Sequence, residues 1–237
     1  MANSSLLEDI RSGLTELVED FIEFPHAHRT EQSMHCYLFH LLARRGLDQV
    51  RESGAGFGVR MLQKEYPPMR KESGRRHGLL DIVVFDDVRI RKMKQWDWRS
   101  LEGLSVAPAA AVELKLNGGL RWRASNVRLS DLDKELARLA DERNQIAHPF
   151  LLYFYRIARY EDDESMVAAF KRLEQMFTNG ASRFPRVSSW LISVEFDPGR
   201  RYGRYAGSIL RFEDGQATRT VRNFDDLTRG RGDVQEA

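Results

Sequence analysis

Residues 150–156 (Phe-Leu-Leu-Tyr-Phe-Tyr-Arg) form a short, nearly unbroken apolar run. A half-exposed strand alternates apolar with polar side chains, whereas a run like this one fits a strand covered on both faces. Such a strand needs packing layers above and below its sheet, and the rest of the chain supplies helices to make them. Helical spacing marks residues 5–23, where Ser5 and Glu8 form a capping box and Leu6, Ile10, Leu14, Leu17, Val18, Phe21 and Ile22 share one stripe. A second helix is predicted over 30–45, with Met34, Tyr37, Leu38, Leu41 and Leu42 on one side and Gly46 as its stop. Further helices are predicted from Ser130 and over 164–177. Strands are predicted over 61–66, 79–85, 109–116, 188–196 and 205–212, with a glycine-rich turn at 54–58. The order predicts a mixed α/β sheet flanked by helices, in one domain over 1–237. Residues 157–227 would form a C-terminal extension and 228–237 a flexible tail.

Composition removes several classes. The chain is 42% hydrophobic and holds 13 Phe, 7 Tyr and 4 Trp, enough to bury a core, so wholesale disorder is excluded. No apolar run reaches the ~20 residues needed to span a bilayer. Acids interrupt the apolar positions of the first twenty residues and no basic region precedes them, so they do not read as a signal peptide. With Cys36 as the only cysteine, neither an internal disulfide nor a four-cysteine zinc site can form. The expectation is a cytoplasmic protein with no membrane partner. Net charge is only +2, but residues 60–100 carry 11 basic against 6 acidic side chains, a local surface suited to a polyanion.

Two strands carry charges where apolar residues are expected. In 109–116 (Ala-Ala-Ala-Val-Glu-Leu-Lys-Leu), alternation puts Glu113 and Lys115 on one face and Val112, Leu114 and Leu116 on the other. In 79–85, Asp81 is the single polar residue. Desolvating these charges is costly unless they pair or bind a cation. If the two strands are neighbours, Asp81 and Glu113 converge beside Lys115. Two carboxylates and an amine in that arrangement bind a hard divalent cation and keep a cationic group near an attacking water.

On Asp81 and Glu113-Leu114-Lys115 the chain resembles the PD-(D/E)XK nuclease superfamily, with its restriction-endonuclease-like fold. The resemblance covers about residues 30–156, whose order of helix, three strands, helix and strand is that superfamily's αβββαβ core. Leu80 stands where the motif's proline would be, and the 32-residue step from Asp81 to Glu113 makes 86–108 an inserted excursion. Members of the superfamily place a glutamate on the first helix, and Glu31, three before Met34 and seven before Leu38, fits that place.

The resemblance implies a divalent-metal-dependent nuclease hydrolysing phosphodiester bonds, with DNA as the expected substrate. Asp81, Glu113 and the Leu114 carbonyl would hold Mg²⁺ (or Mn²⁺), Lys115 would orient the attacking water, and Glu31 would complete the site. A homodimer is open as a partner arrangement. The alternative is an inactive nucleic-acid-binding or protein-interaction module whose charged triad is structural.

Candidate phosphate contacts are Arg75, Arg76 and His77 before the Asp81 strand, and Arg91, Lys92 and Lys94 beside Trp96 and Trp98, with solvated loops as the alternative. Glu65 could replace Glu31, though a strand-end charge is the simpler reading. His26, His28, His35 and His40 do not suggest zinc, because His35 and His40 are five apart and on different helix faces.

Overall fold

In the computed structural model the described residues are 2–66, 79–92, 106–117, 129–158, 164–196 and 204–223. Their elements, in chain order, are α1 (Ala2–Glu23), α2 (Glu31–Arg44), β1 (Val50–Glu52), β2 (Gly58–Arg60), β3 (Leu62–Tyr66), β4 (Leu80–Val84) and α3 (Asp87–Arg91), followed by β5 (Ala110–Asn117), α4 (Leu129–Ala140), β6 (His148–Ala158), α5 (Glu164–Arg183), β7 (Ser188–Phe196), β8 (Arg204–Glu213) and β9 (Gln216–Asn223). Strands β3 to β9 form one sheet of seven in sequential order. Its centre, β5-β6-β7, is parallel, and the pairings on either side are antiparallel. The mixed α/β expectation therefore holds.

The apolar run behaves as its composition requires. Phe150, Leu152 and Phe154 pack into a core with α1 and α2, while Leu151, Tyr153 and Tyr155 pack into a second core with α4 and α5. The parallel pairing follows, since each crossover between β5, β6 and β7 carries a helix across the same face.

Helix α2 starts and stops where its sequence directs. The Thr30 side chain accepts a hydrogen bond from the Ser33 backbone N–H at 3.1 Å, and the Ser33 hydroxyl caps Thr30 in return. Gly46, at φ +78°, takes the left-handed conformation that ends the helix. Met34, Leu38, Leu41 and Leu42 are fully buried against α1 and the sheet, which fixes how the first turn of α2 is aimed. Truncating this stripe should be expensive: Leu38→Ala should destabilise the fold by about 2–5 kcal/mol, measured by denaturant titration.

Several elements differ from the sequence reading. Helix α1 begins at Ala2, so Ser5 and Glu8 lie inside it rather than at its cap. Helix α4 likewise begins at Leu129, one residue before Ser130. The glycine-rich turn joins a hairpin of two short strands, β1 and β2, with Gly56 at φ +79° and the Ser53 hydroxyl accepting from the Ala55 and Phe57 N–H groups. The excursion after β4 opens with α3, capped by Asp86 onto the Arg89 N–H at 2.7 Å. Strand β9 was absent from the sequence reading altogether. No described helix is long and apolar enough to cross a membrane.

Candidate active site

The register of β4 and β5 decides whether the charged residues meet. Ile82 pairs with Val112 in an antiparallel ladder, so one step further Asp81 stands opposite Glu113 on the same face. That is the face of Val83 and Ala111, turned toward α4 and α5. At this step the Asp81 carboxylate accepts a hydrogen bond from the Leu114 N–H at 2.8 Å, tying its side chain to the neighbouring strand. On the other side, β3 pairs with β4 at Lys64 and Tyr66, while Glu65 between them has a left-handed backbone, φ +53°. The ladder is thus irregular on the β3 side of Asp81. Glu65 itself is exposed.

Glu113 is fully buried. Its Oε1 accepts from Arg138 on α4 at 2.5 Å, and Oε2 has no hydrogen-bond partner among the described residues, with the Lys115 ammonium 3.8 Å away. Lys115 Nζ also lies 3.4 Å from Glu31 on α2 and 4.0 Å from Glu135 on α4. Glu31 accepts from the Leu116 N–H at 3.3 Å, and Arg138 pairs with Glu135 as well as Glu113. From α2, His35 brings its buried Nε2 to 3.2 Å from Asp81 Oδ2. Among the described residues that nitrogen makes no hydrogen bond of good geometry.

These residues place four carboxylates against one ammonium and one guanidinium. Burial pushes the Glu113 carboxyl well above the usual range, and the Asp81 charge adds to this against the pull of Arg138 and Lys115. Burial raises Glu135 too. Burial alone would raise Asp81, but the His35 ring, Lys115 and the Leu114 N–H outweigh it and hold Asp81 below its ordinary value. Burial would lower Lys115, yet Glu113, Asp81, Glu31 and Glu135 keep it above its ordinary value and therefore cationic. The excess of negative charge and the unpartnered Glu113 oxygen suit a divalent cation. Its oxygen donors would be those a hard cation takes.

Comparison of the chain with protein-family models, with curated proteins and with solved structures gives no match. The chemistry of the cluster therefore stands on its geometry.

Of the sequence-derived candidates, Asp81, Glu113, Lys115 and Glu31 come together. Arg91 and Lys92 do not join them. Both are exposed and follow β4 at the end opposite Asp81, where Arg91 lines an open cleft with Arg51, Glu52, Ser53 and Asp87. Arg75, Arg76, His77, Lys94, Trp96 and Trp98 lie outside the described residues. The sequence reading missed His35, Glu135 and Arg138. His35 was weighed against His40, which is exposed, whereas it faces Asp81 and lies one turn after Glu31. Glu135 and Arg138 are three apart and flank the apolar stripe Leu132, Leu136 and Leu139. Arg138 beside a buried acidic strand was the available signal.

Proposed function

We propose that the chain is a divalent-cation-dependent nuclease of PD-(D/E)XK type that hydrolyses phosphodiester bonds, with DNA as its expected substrate. The observation that carries this reading is the meeting of Asp81, Glu113 and Lys115 on one face of adjacent strands, with Glu31 reaching in from α2. The order of α2, β3, β4, β5, α4 and β6 agrees with the core of that superfamily.

In this reading Asp81, Glu113 and the Leu114 carbonyl hold Mg²⁺ or Mn²⁺. The cation supplies an acidified water and charge neutralisation at the phosphoryl oxygens. Lys115, cationic among four carboxylates, donates to the attacking water or to the phosphate as negative charge builds on it. Arg138 anchors one oxygen of Glu113 and leaves the other, unbonded among the described residues, as one that would hold a cation. Glu31 restrains Lys115 from the α2 side.

The test is cleavage of single- and double-stranded DNA and of RNA by the full chain, with Mg²⁺, with Mn²⁺ and with chelator. Lys115→Ala separates the roles. It should bind Mn²⁺ in calorimetry within a few-fold of wild type, yet cleave on the order of 10²-fold more slowly, as expected when a transition-state donor is removed. Saturable, Asp81-dependent Mn²⁺ binding with no cleavage of any nucleic acid would overturn the nuclease assignment. No saturable binding would favour the inactive module with a structural ion cluster.

A further inference from the structure

We infer that His35 is a direct ligand of the cation, beside Glu31 and Asp81, and that the site therefore selects a first-row transition divalent cation over Mg²⁺ and Ca²⁺. This rests on the cation-dependent reading above and names the metal class that the reading leaves open.

Glu31 and His35 are four residues apart on α2, so their side chains lie one above the other on a single helix face. Asp81 meets them from β4, and one ligand atom from each of the three lies within 4.8 Å of the others. In an octahedron with bonds of about 2.1 Å, adjacent ligands stand ~3.0 Å apart and opposite ones ~4.2 Å. The 3.2 Å between His35 Nε2 and Asp81 Oδ2 is close to the adjacent spacing.

The imidazole gives an independent reason. His35 is 6% exposed, and its Nε2 makes no hydrogen bond of good geometry among the described residues. Buried polar atoms are nearly always satisfied, so a nitrogen 3.2 Å from a carboxylate without a well-formed hydrogen bond leaves a place that a third party would fill. A cation between the nitrogen and the oxygens satisfies all of them. The two contacts Glu31 already makes, at 3.4 Å to Lys115 and 3.3 Å to the Leu116 N–H, are long and leave lone pairs for a metal.

An imidazole ligand carries the selectivity. Mg²⁺ and Ca²⁺ take oxygen ligands, and a nitrogen in the shell gains them little. First-row transition cations accept mixed nitrogen and oxygen sets. A shell of Asp81, Glu113 and the Leu114 carbonyl without the imidazole would not discriminate in this way, so metal preference tests whether His35 belongs to it.

The experiment is pulsed electron paramagnetic resonance of Mn²⁺ bound to the full chain labelled with ¹⁵N-histidine, without nucleic acid, together with calorimetric titrations of Mn²⁺ and Mg²⁺. A directly bound imidazole should give a ¹⁵N coupling in the wild-type spectrum, and this needs no variant to fold. His35→Ala should abolish the coupling and weaken Mn²⁺ binding about 10–100-fold while changing Mg²⁺ binding far less, the usual scale for disturbing a ligand shell. Saturably bound Mn²⁺ with no nitrogen coupling overturns the inference, as does an equal loss of Mn²⁺ and Mg²⁺ in His35→Ala. Absence of saturable Mn²⁺ binding overturns it too. A nitrogen coupling without any cleavage supports the ligand assignment and removes the nuclease reading alone.

Discussion

Asp81→Asn should leave a folded protein that cleaves DNA at least about a thousandfold more slowly than wild type, because losing several kcal/mol of charge stabilisation at ~1.4 kcal/mol per decade costs that much. The substitution keeps the size of the side chain and its acceptor for the Leu114 N–H, which the native carboxylate binds at 2.8 Å. What it removes is the charge facing the Lys115, His35 and Glu113 side. Circular dichroism and thermal unfolding should stay close to wild type, while Mn²⁺ binding by calorimetry should weaken along with cleavage. Glu113→Gln should behave similarly in turnover. Wild-type cleavage by Asp81→Asn would remove Asp81 from the machinery.

Arg138→Met should be the most damaging single change to the resting site. Glu113 is wholly inside the protein and Arg138 is its closest cationic partner, so removing the guanidinium strands a buried carboxylate. Breaking a buried pair in this way costs about 3–5 kcal/mol, which for a chain of this size lowers the melting temperature on the order of 10 °C. The cost should depend on pH in a definite sense. Burial and Asp81 already hold the Glu113 carboxyl above its ordinary value, while Arg138 and Lys115 oppose them. Without Arg138 the carboxyl rises further, with Asp81 and Glu135 facing it and Lys115 left to offset them. A glutamate whose folded value exceeds its unfolded one favours the fold when protonated and loses that contribution as pH rises between the two. The deficit of Arg138→Met relative to wild type should therefore be small near pH 5 and grow toward pH 8, measured without divalent cation. A deficit constant across that range would show that Arg138 does not act by neutralising Glu113.

Much of this site was legible because strand geometry is strict. Alternation put Glu113 and Lys115 on one face, and the apolar setting of Asp81 marked it as a buried charge before any pairing was known. Glu31 came from the family resemblance, which puts a glutamate on the first helix, and its spacing from Met34 and Leu38 fitted that place. The companions were harder to find. His35 looked like a poor zinc ligand because His40 is five positions on, at a different helix face, and Cys36 is the only cysteine; the carboxylate it meets lies 46 positions away on β4. Glu135 and Arg138 sit on an amphipathic helix where charges normally meet water, and only the docking of α4 over β5 turns them inward. Fold elements were missed where burial gives no pattern. Strand β9 is exposed along its described length, so neither face carries an apolar signal and its pairing with β8 comes from the preceding turn. The strands β1 and β2 are three residues each and mostly exposed, too short for alternation to register.

The contact between Lys115 and Glu31 joins positions 84 residues apart, and it stands on a sheet whose central strands must first be aligned. Closing so large a loop is slow compared with winding a helix, since chain entropy is lost before the contact returns anything. Metal capture during refolding would then come late, after the far-ultraviolet signal of the helices has recovered. A nascent chain emerging from the ribosome would carry no competent centre until α4 had followed β5 out. On the proposed nuclease reading, topology alone would then keep half-made protein from cutting.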